Sequence, residues 1–171
     1  GLSKFDQPVR KNIKFDKNFI LFLCQITNDE TIKLHSEISV KDALVKTLDF
    51  ANTKKIQIIV KPHPLNRESM KPLGRIVLDR INNGENILWA RNINIHDLLS
   101  NCEAVFTVNS GAGMEAILHN KPVYCYGRSD YASVSHYILK DEINWSQRKK
   151  YIKNYEGFFE AYVNSMISVG N

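Results

Sequence analysis

The stretch from Ala104 to Gly127, AVFTVNSGAGMEAILHNKPVYCYG, constrains the fold more than any other part of the chain. It reads as a buried strand (Ala104 to Val108), a tight polar turn (Asn109, Ser110, Gly111), a helix from Ala112 to His119, and a second buried strand, Val123 to Tyr126, entered through Lys121-Pro122. Neither strand alternates apolar with polar residues, which is the pattern of strands covered on both faces, and a helical crossover makes such strands parallel. A strand feeding a glycine-bearing turn and a helix also aims unpaired backbone N–H groups at one point. Ser110 adds a hydroxyl there, and Gly111 and Gly113 let a ligand approach the backbone. The turn suits an anion such as phosphate; a Ser-Gly pair that merely turns the chain fits the same letters.

The rest of the chain repeats this grammar. Residues 1–18 are polar and aperiodic and read as a lead-in or linker to a domain spanning 19–171. Phe19 to Cys24 (FILFLC) is a first strand, followed by the polar turn QITNDETIKLHSE. Ser39 suits the N-cap of a helix from Val40 to Asn52, and Ile56 to Val60 is a second strand. It stops at Lys61-Pro62-His63-Pro64, where neither proline can donate to a ladder. A helix is expected from Pro72 to Asn82, a third strand over Asn86 to Ala90, and a short helix over Ile95 to Asn101. Gly127 to Lys140 reads as a polar loop, followed by helices over Trp145 to Lys153 and Tyr155 to Ile167. Strand and helix in alternation predict an α/β fold, a Rossmann-like doubly wound parallel sheet of about five strands in the order 3-2-1-4-5, with C-terminal helices.

Composition narrows the class. No apolar run approaches the roughly 18 residues of a membrane span, and no signal-peptide pattern opens the chain, so it reads as cytoplasmic. The net charge of +5 comes from scattered Lys and Arg residues. That spread argues against nucleic acid and leaves room for a phosphate-bearing small molecule or for peripheral contact with an anionic membrane face. Arg148-Lys149-Lys150 is the exception and reads as a solvated helix face. Cys24, Cys102 and Cys125 share no metal spacing, and Cys24 and Cys125, within apolar strand-like runs, read as small core residues; no His/Cys/Asp spacing supports a metal, and Walker A, GxSxG and a GxGxxG after the first strand are absent.

In a sheet of this kind ligands bind beyond the carboxyl ends of the strands, and there this chain places its polar residues. Gln25 and Asp29 follow the first strand, Lys61 and His63 the second, Asn109 and Ser110 the fourth, and Arg128 the fifth. His63, rigid between prolines, can donate to a phosphate oxygen, or cap neighbouring carbonyls. Lys61 can supply charge or snorkel. Glu115 either complements a helix dipole or accepts from a sugar hydroxyl, and Arg128 pairs with an anion or with a surface carboxylate.

These residues, in order and spacing, resemble the bacterial capsular polysaccharide biosynthesis and export proteins, a family that includes β-Kdo transferases. The resemblance rests on Phe22-Leu23-Cys24-Gln25 with Asp29 and Leu34-His35-Ser36, Val60-Lys61-Pro62-His63-Pro64-Leu65, Leu98-Leu99, Thr107-Val108-Asn109-Ser110, Gly113, Glu115-Ala116, Leu118-His119, Lys121-Pro122-Val123 and Gly127-Arg128-Ser129-Asp130-Tyr131. It spans roughly Phe19 to Tyr137. It implies one half of a GT-B glycosyltransferase, the C-terminal half that binds a nucleotide sugar, with CMP-Kdo as donor and no separate cofactor. His63, Pro64 and Ser110 would then hold the CMP phosphate and Glu115 the nucleotide's sugar. Lys61, Asn109, Gly111 and Gly113 complete the expected donor site, with Gln25, Asp29 and Arg128 secondary. The resemblance further implies that a glycan or glycolipid acceptor is bound by an N-terminal domain outside these residues, so no catalytic residue is named. The closing aromatic helix would cross back to that domain and leave its apolar face partly exposed. A non-catalytic nucleotide- or anion-binding module of the same fold is the alternative.

Overall fold

The computed structural model describes residues 8–9, 15, 18–26, 30–138, 140 and 142–170. Six strands, β1 (Phe19–Leu23), β2 (Gln57–Lys61), β3 (Ile87–Trp89), β4 (Ala104–Thr107), β5 (Val123–Cys125) and β6 (His136–Tyr137), form one sheet in the order β3-β2-β1-β4-β5-β6. Every pairing is parallel. The expected order holds for five strands, and the sixth, β6, extends the edge within what reads in sequence as a loop. Its two residues are too few to show a period. What holds it is stacking: the His136 ring lies on Tyr124 (centroids 4.4 Å apart, 15° between planes), and Tyr124 stacks on Phe106.

The pleat of β1 divides the core in two. Ile20 and Phe22 face one layer, where α2 (Val40–Lys54) and α3 (Arg67–Asn82) lie, while Phe19, Leu21 and Leu23 face the other, with α4 (Ile95–Asn101), α5 (Ala112–Leu118) and α6 (Tyr155–Gly170). A further short helix, α1 (Glu30–His35), lies in the stretch expected to be a polar turn. Ser39 caps α2 as its sequence indicates, accepting from the Asp42 N–H at 3.1 Å.

Two helical expectations change. The third helix starts at Arg67, not after Pro72, because Asn66 caps it by accepting the Ser69 N–H at 3.0 Å. Pro72 is carried inside the helix at the loss of one i→i−4 bond, while Met70, Leu73 and Val77 bury the packed face. The segment from Trp145 to Lys153 forms consecutive turns ending in a 3-10 turn at Ile152–Asn154. Arg148, Lys150 and Ile152 each donate N–H three residues back, and the Asn144 carboxamide accepts the Gln147 N–H. Arg148-Lys149-Lys150 therefore does not sit on a helix face.

The final helix is anchored at its start, where the buried Tyr155 donates its hydroxyl to the Lys121 carbonyl at 2.8 Å. Further along, Tyr162, Val163, Met166 and Ile167 are exposed, so its apolar face is indeed left partly uncovered. Two described residues of the lead-in touch the domain: Phe15 packs on Phe19 at 4.9 Å, and the Asn94 amide donates to the Pro8 carbonyl at 2.6 Å. Among the described residues no helix is long and apolar enough to cross a membrane.

Candidate functional site

The direction of strand addition reverses between β1 and β4, and the carboxyl ends of β2, β1 and β4 end level, with Leu23 opposite both Lys61 and Thr107. Beyond them opens a cavity of about 690 Å3. Gln25, Lys61, His63, Pro64, Asn109, Ser110, Gly111, Glu115 and Arg128 all line it. Asp29 lies outside the described residues.

Although they converge, these residues do different things. Gln25 and Asn109, both buried, face each other as a closed pair. The Asn109 N–H donates to Gln25 Oε1 and Gln25 Nε2 donates to Asn109 Oδ1, each at 2.9 Å. Asn109 Nδ2 continues the chain to the Arg128 carbonyl at 3.2 Å. Three strand ends are tied together by two carboxamides, so Asn109 is committed to the floor of the cavity and Gln25 gains the role its sequence context left open.

Lys61 is likewise committed. It is 4% exposed, and its ammonium donates to the Arg91 and Ile93 carbonyls at 3.1 and 2.6 Å, pinning the loop between β3 and α4. It therefore does not snorkel. Burial, helped by the nearby Arg91 charge, lowers its pKa to about 8. Because the folded value lies below the unfolded one, the unfolded chain binds more protons between about pH 8 and 10.5, and Lys61 penalises folding most below pH 8. Urea titrations of the wild type and Lys61→Met should show their stability difference moving in favour of the wild type as pH rises from 7 to 9.5. A pH-independent difference would contradict this account.

His63 Nδ1 accepts the Leu65 N–H at 3.2 Å, which leaves the proton of the neutral ring on Nε2. The ring thus caps a backbone N–H rather than a carbonyl and is a donor through Nε2. Ser110 Oγ accepts the Ala112 N–H at 3.2 Å, so its own proton remains available to donate. The backbone of that turn is less open than its sequence suggests. Gly113 N–H donates to the Ser110 carbonyl and Met114 N–H to the Gly111 carbonyl, so the first turn of α5 satisfies itself, and with seven residues its dipole is weak. Any anion here depends on side-chain donors.

The two glycines also differ. Gly111 is exposed with nothing within 4 Å of where a Cβ would stand, leaving space beside Ser110. Gly113 is buried and does not line the cavity; it makes room for Tyr131, not for a ligand. Tyr131 donates its hydroxyl to the Ser110 carbonyl at 2.5 Å, and burial keeps its phenol protonated by raising its pKa far above the ordinary value. Sequence reasoning gave Tyr131 no such part, since nothing local says that a residue eighteen positions on will fill the gap. Arg128 is exposed at the rim, its N–H donating to the His35 carbonyl.

Glu115, 9% exposed, presents a carboxylate to the cavity wall, and His96 Nε2 lies 4.0 Å from its Oε2. The three cysteines are free and buried, and burial raises each thiol's pKa, which makes them poor nucleophiles. Among the described residues no group of three or more His, Cys, Asp or Glu side chains is placed to hold a metal ion.

The sequence profile described as capsule polysaccharide biosynthesis protein matches residues 3–169. The capsule polysaccharide export protein KpsS of Escherichia coli is 31% identical over 124 residues, covering 69% of this chain and 32% of that protein. The chain thus spans about a third of that relative's length. Among solved structures, KpsC of Thermosulfurimonas dismutans, a beta Kdo 2,7 transferase, superimposes with a TM-score of 0.56 and 25% identity over 75% of this chain and 41% of that one. The UDP-GlcNAc 2-epimerase of Methanocaldococcus jannaschii shares the fold at a TM-score of 0.51 and 16% identity, over 82% of this chain and 38% of that one.

Proposed function

Because the chain belongs to the capsule polysaccharide biosynthesis protein family, we propose that this domain is the donor-binding half of a capsule glycosyltransferase and holds a nucleotide sugar, CMP-Kdo. One observation carries this reading: His63 and Ser110, from the ends of β2 and β4, line the same cavity at the switch in strand order, with His63 Nδ1 and Ser110 Oγ each fixed by accepting a backbone N–H two residues on. The similarity to a β-Kdo transferase supports the sugar, and the family motifs around His63 and Ser110 support the cytidine monophosphate.

In this reading the donor's phosphate lies between the His63 Nε2–H and the Ser110 hydroxyl, in the space left beside Gly111. Both donors are fixed by their backbone contacts, and as the sugar departs they stabilise the charge gathering on the phosphate. Glu115 accepts from the ribose hydroxyls. A glycan or glycolipid acceptor, and the acid or base that activates it, come from a second domain, and the whole acts in the cytoplasm at the inner face of the membrane.

Calorimetry of the 171-residue chain with CMP tests the reading. His63→Ala and Ser110→Ala should each weaken binding roughly 10-fold or more, the loss of a hydrogen bond to a charged group worth about 1.5–3 kcal/mol. Absence of CMP binding by the wild type would overturn the donor assignment, as would affinity unmoved by either substitution.

A further inference from the structure

Behind Glu115 lies a second layer that the donor reading does not use. Glu115 in α5 and His119 at its C-terminal cap are four residues apart and share one helix face. His96, from α4, reaches between them: its Nδ1 is 2.9 Å from His119 Nε2, and its Nε2 is 4.0 Å from Glu115 Oε2. His96 is itself fixed, since Asn94 caps α4 by accepting the His96 N–H at 2.8 Å. One buried imidazole thus turns both nitrogens toward two residues of a neighbouring helix.

The carboxylate decides the direction of that chain. If neutral His96 donated from Nδ1, the lone pair of Nε2 would face the Glu115 oxygen, and two acceptors would oppose each other in a buried place. If His119 donates from Nε2 to His96 Nδ1, the His96 proton sits on Nε2 and faces Glu115. We propose that His96, oriented by His119, is a positioning residue that holds Glu115 as a fixed acceptor for the ribose hydroxyls of the bound nucleotide. This rests on the nucleotide reading of the cavity and assigns that reading a recognition element: the ribose is read through a Glu115–His96–His119 chain running from the cavity wall to the partly exposed His119.

The test uses CMP and its 2′,3′-dideoxy analogue, titrated into the 171-residue chain, so that the affinity ratio reports on the ribose hydroxyls alone. Wild type should prefer CMP, and Glu115→Gln should largely abolish the preference. Two substitutions at His96 separate positioning from packing. His96→Asn places its amide where Nδ1 stands, keeps the contact to His119 and loses reach to Glu115; His96→Gln places an amide N–H where Nε2 stands. The ratio should fall about 5- to 10-fold in His96→Asn and stay near wild type in His96→Gln. Binding of the dideoxy analogue should be unchanged in both, and adding His96→Asn to Glu115→Gln should change nothing further. If His96→Asn does not fold, His119→Ala at the outer end of the chain should lower the same ratio. No CMP binding by the wild type would overturn the nucleotide reading and this inference with it. CMP binding with a ratio unmoved by His96→Asn or by His119→Ala would overturn this inference alone.

Discussion

Gly113→Ala is expected to destabilise the chain by about 2–3 kcal/mol and to disorganise the Ser110 turn. A Cβ at position 113 would stand 2.2 Å from Tyr131 Cζ, 2.3 Å from its hydroxyl oxygen and 2.7 Å from Cε2, inside any real carbon contact. The ring cannot step aside cheaply. Tyr131 is 2% exposed and packed with Val134, Ala116 and Ile117 in the layer that covers one sheet face, and its hydroxyl is bound to the Ser110 carbonyl. Gly111→Ala is the control: two residues away, in right-handed helical conformation at φ −56° with open space around it, it should change stability by less than about 0.5 kcal/mol. Urea unfolding of the two variants gives the contrast directly. A double variant, Gly113→Ala with Tyr131→Leu, should be less destabilised than the sum of its single changes, because the second removes the atoms the first collides with. Additive effects would show that Gly113 is needed for some reason other than the ring.

The difference between these two glycines shows where sequence reading stopped. The alternation of apolar runs with helical stripes defines layers and order, because a parallel strand buried on both faces has no polar alternation and a crossover has one hand; β1 to β5 were legible for that reason. Ser39 was legible because capping is local. The start of α3 was not, because Asn66 and Pro72 make competing local claims and burial of Met70 and Leu73 from opposite sides of Pro72 resolves them. For the site, position along the chain gave convergence but not commitment. Nine of the ten expected site residues that are described reach one cavity, the tenth being Gly113, buried behind the turn, yet whether a donor there is spent or available depends on partners far away in sequence: the carbonyls of Arg91 and Ile93 for Lys61, Gln25 for Asn109. Of the pair His96–His119, which stands behind Glu115, only His119 is marked in the sequence, as part of the family resemblance, and neither histidine falls in a spacing that suggests chemistry.

Gln25→Leu carries the second large effect. In the wild type, the pairing of β1 with β4 ends at Leu23 and Thr107, and the facing backbone beyond must find other partners within a buried region. Gln25 supplies them. Its Oε1 accepts the Asn109 N–H and lies 3.2 Å from the Thr107 hydroxyl, while its Nε2 satisfies Asn109 Oδ1. Leucine fills a similar volume but leaves a backbone N–H and an amide oxygen without these partners, each costing about 1–3 kcal/mol. A loss of about 2–4 kcal/mol is expected, with accelerated exchange of the Asn109 amide proton as its local signature. Gln25→Glu separates the two halves of the clamp: a carboxylate still accepts from the Asn109 N–H and cannot donate to Asn109 Oδ1, and it introduces a buried charge. Adding Asn109→Asp to it should worsen matters by placing two carboxylates face to face. If the carboxamide pair acts only as packing, Gln25→Leu and Gln25→Glu should be destabilised alike and the Asn109 amide should exchange no faster than its neighbours in β4. If it acts as the clamp, Ser110 is displaced with Asn109, because the Ser110 N–H donates to the same Thr107 hydroxyl that meets Gln25, at 3.3 Å. CMP affinity should then fall in Gln25→Leu although the bonds of Gln25 run to Asn109 and Thr107 and not to the Ser110 hydroxyl proposed to hold the phosphate.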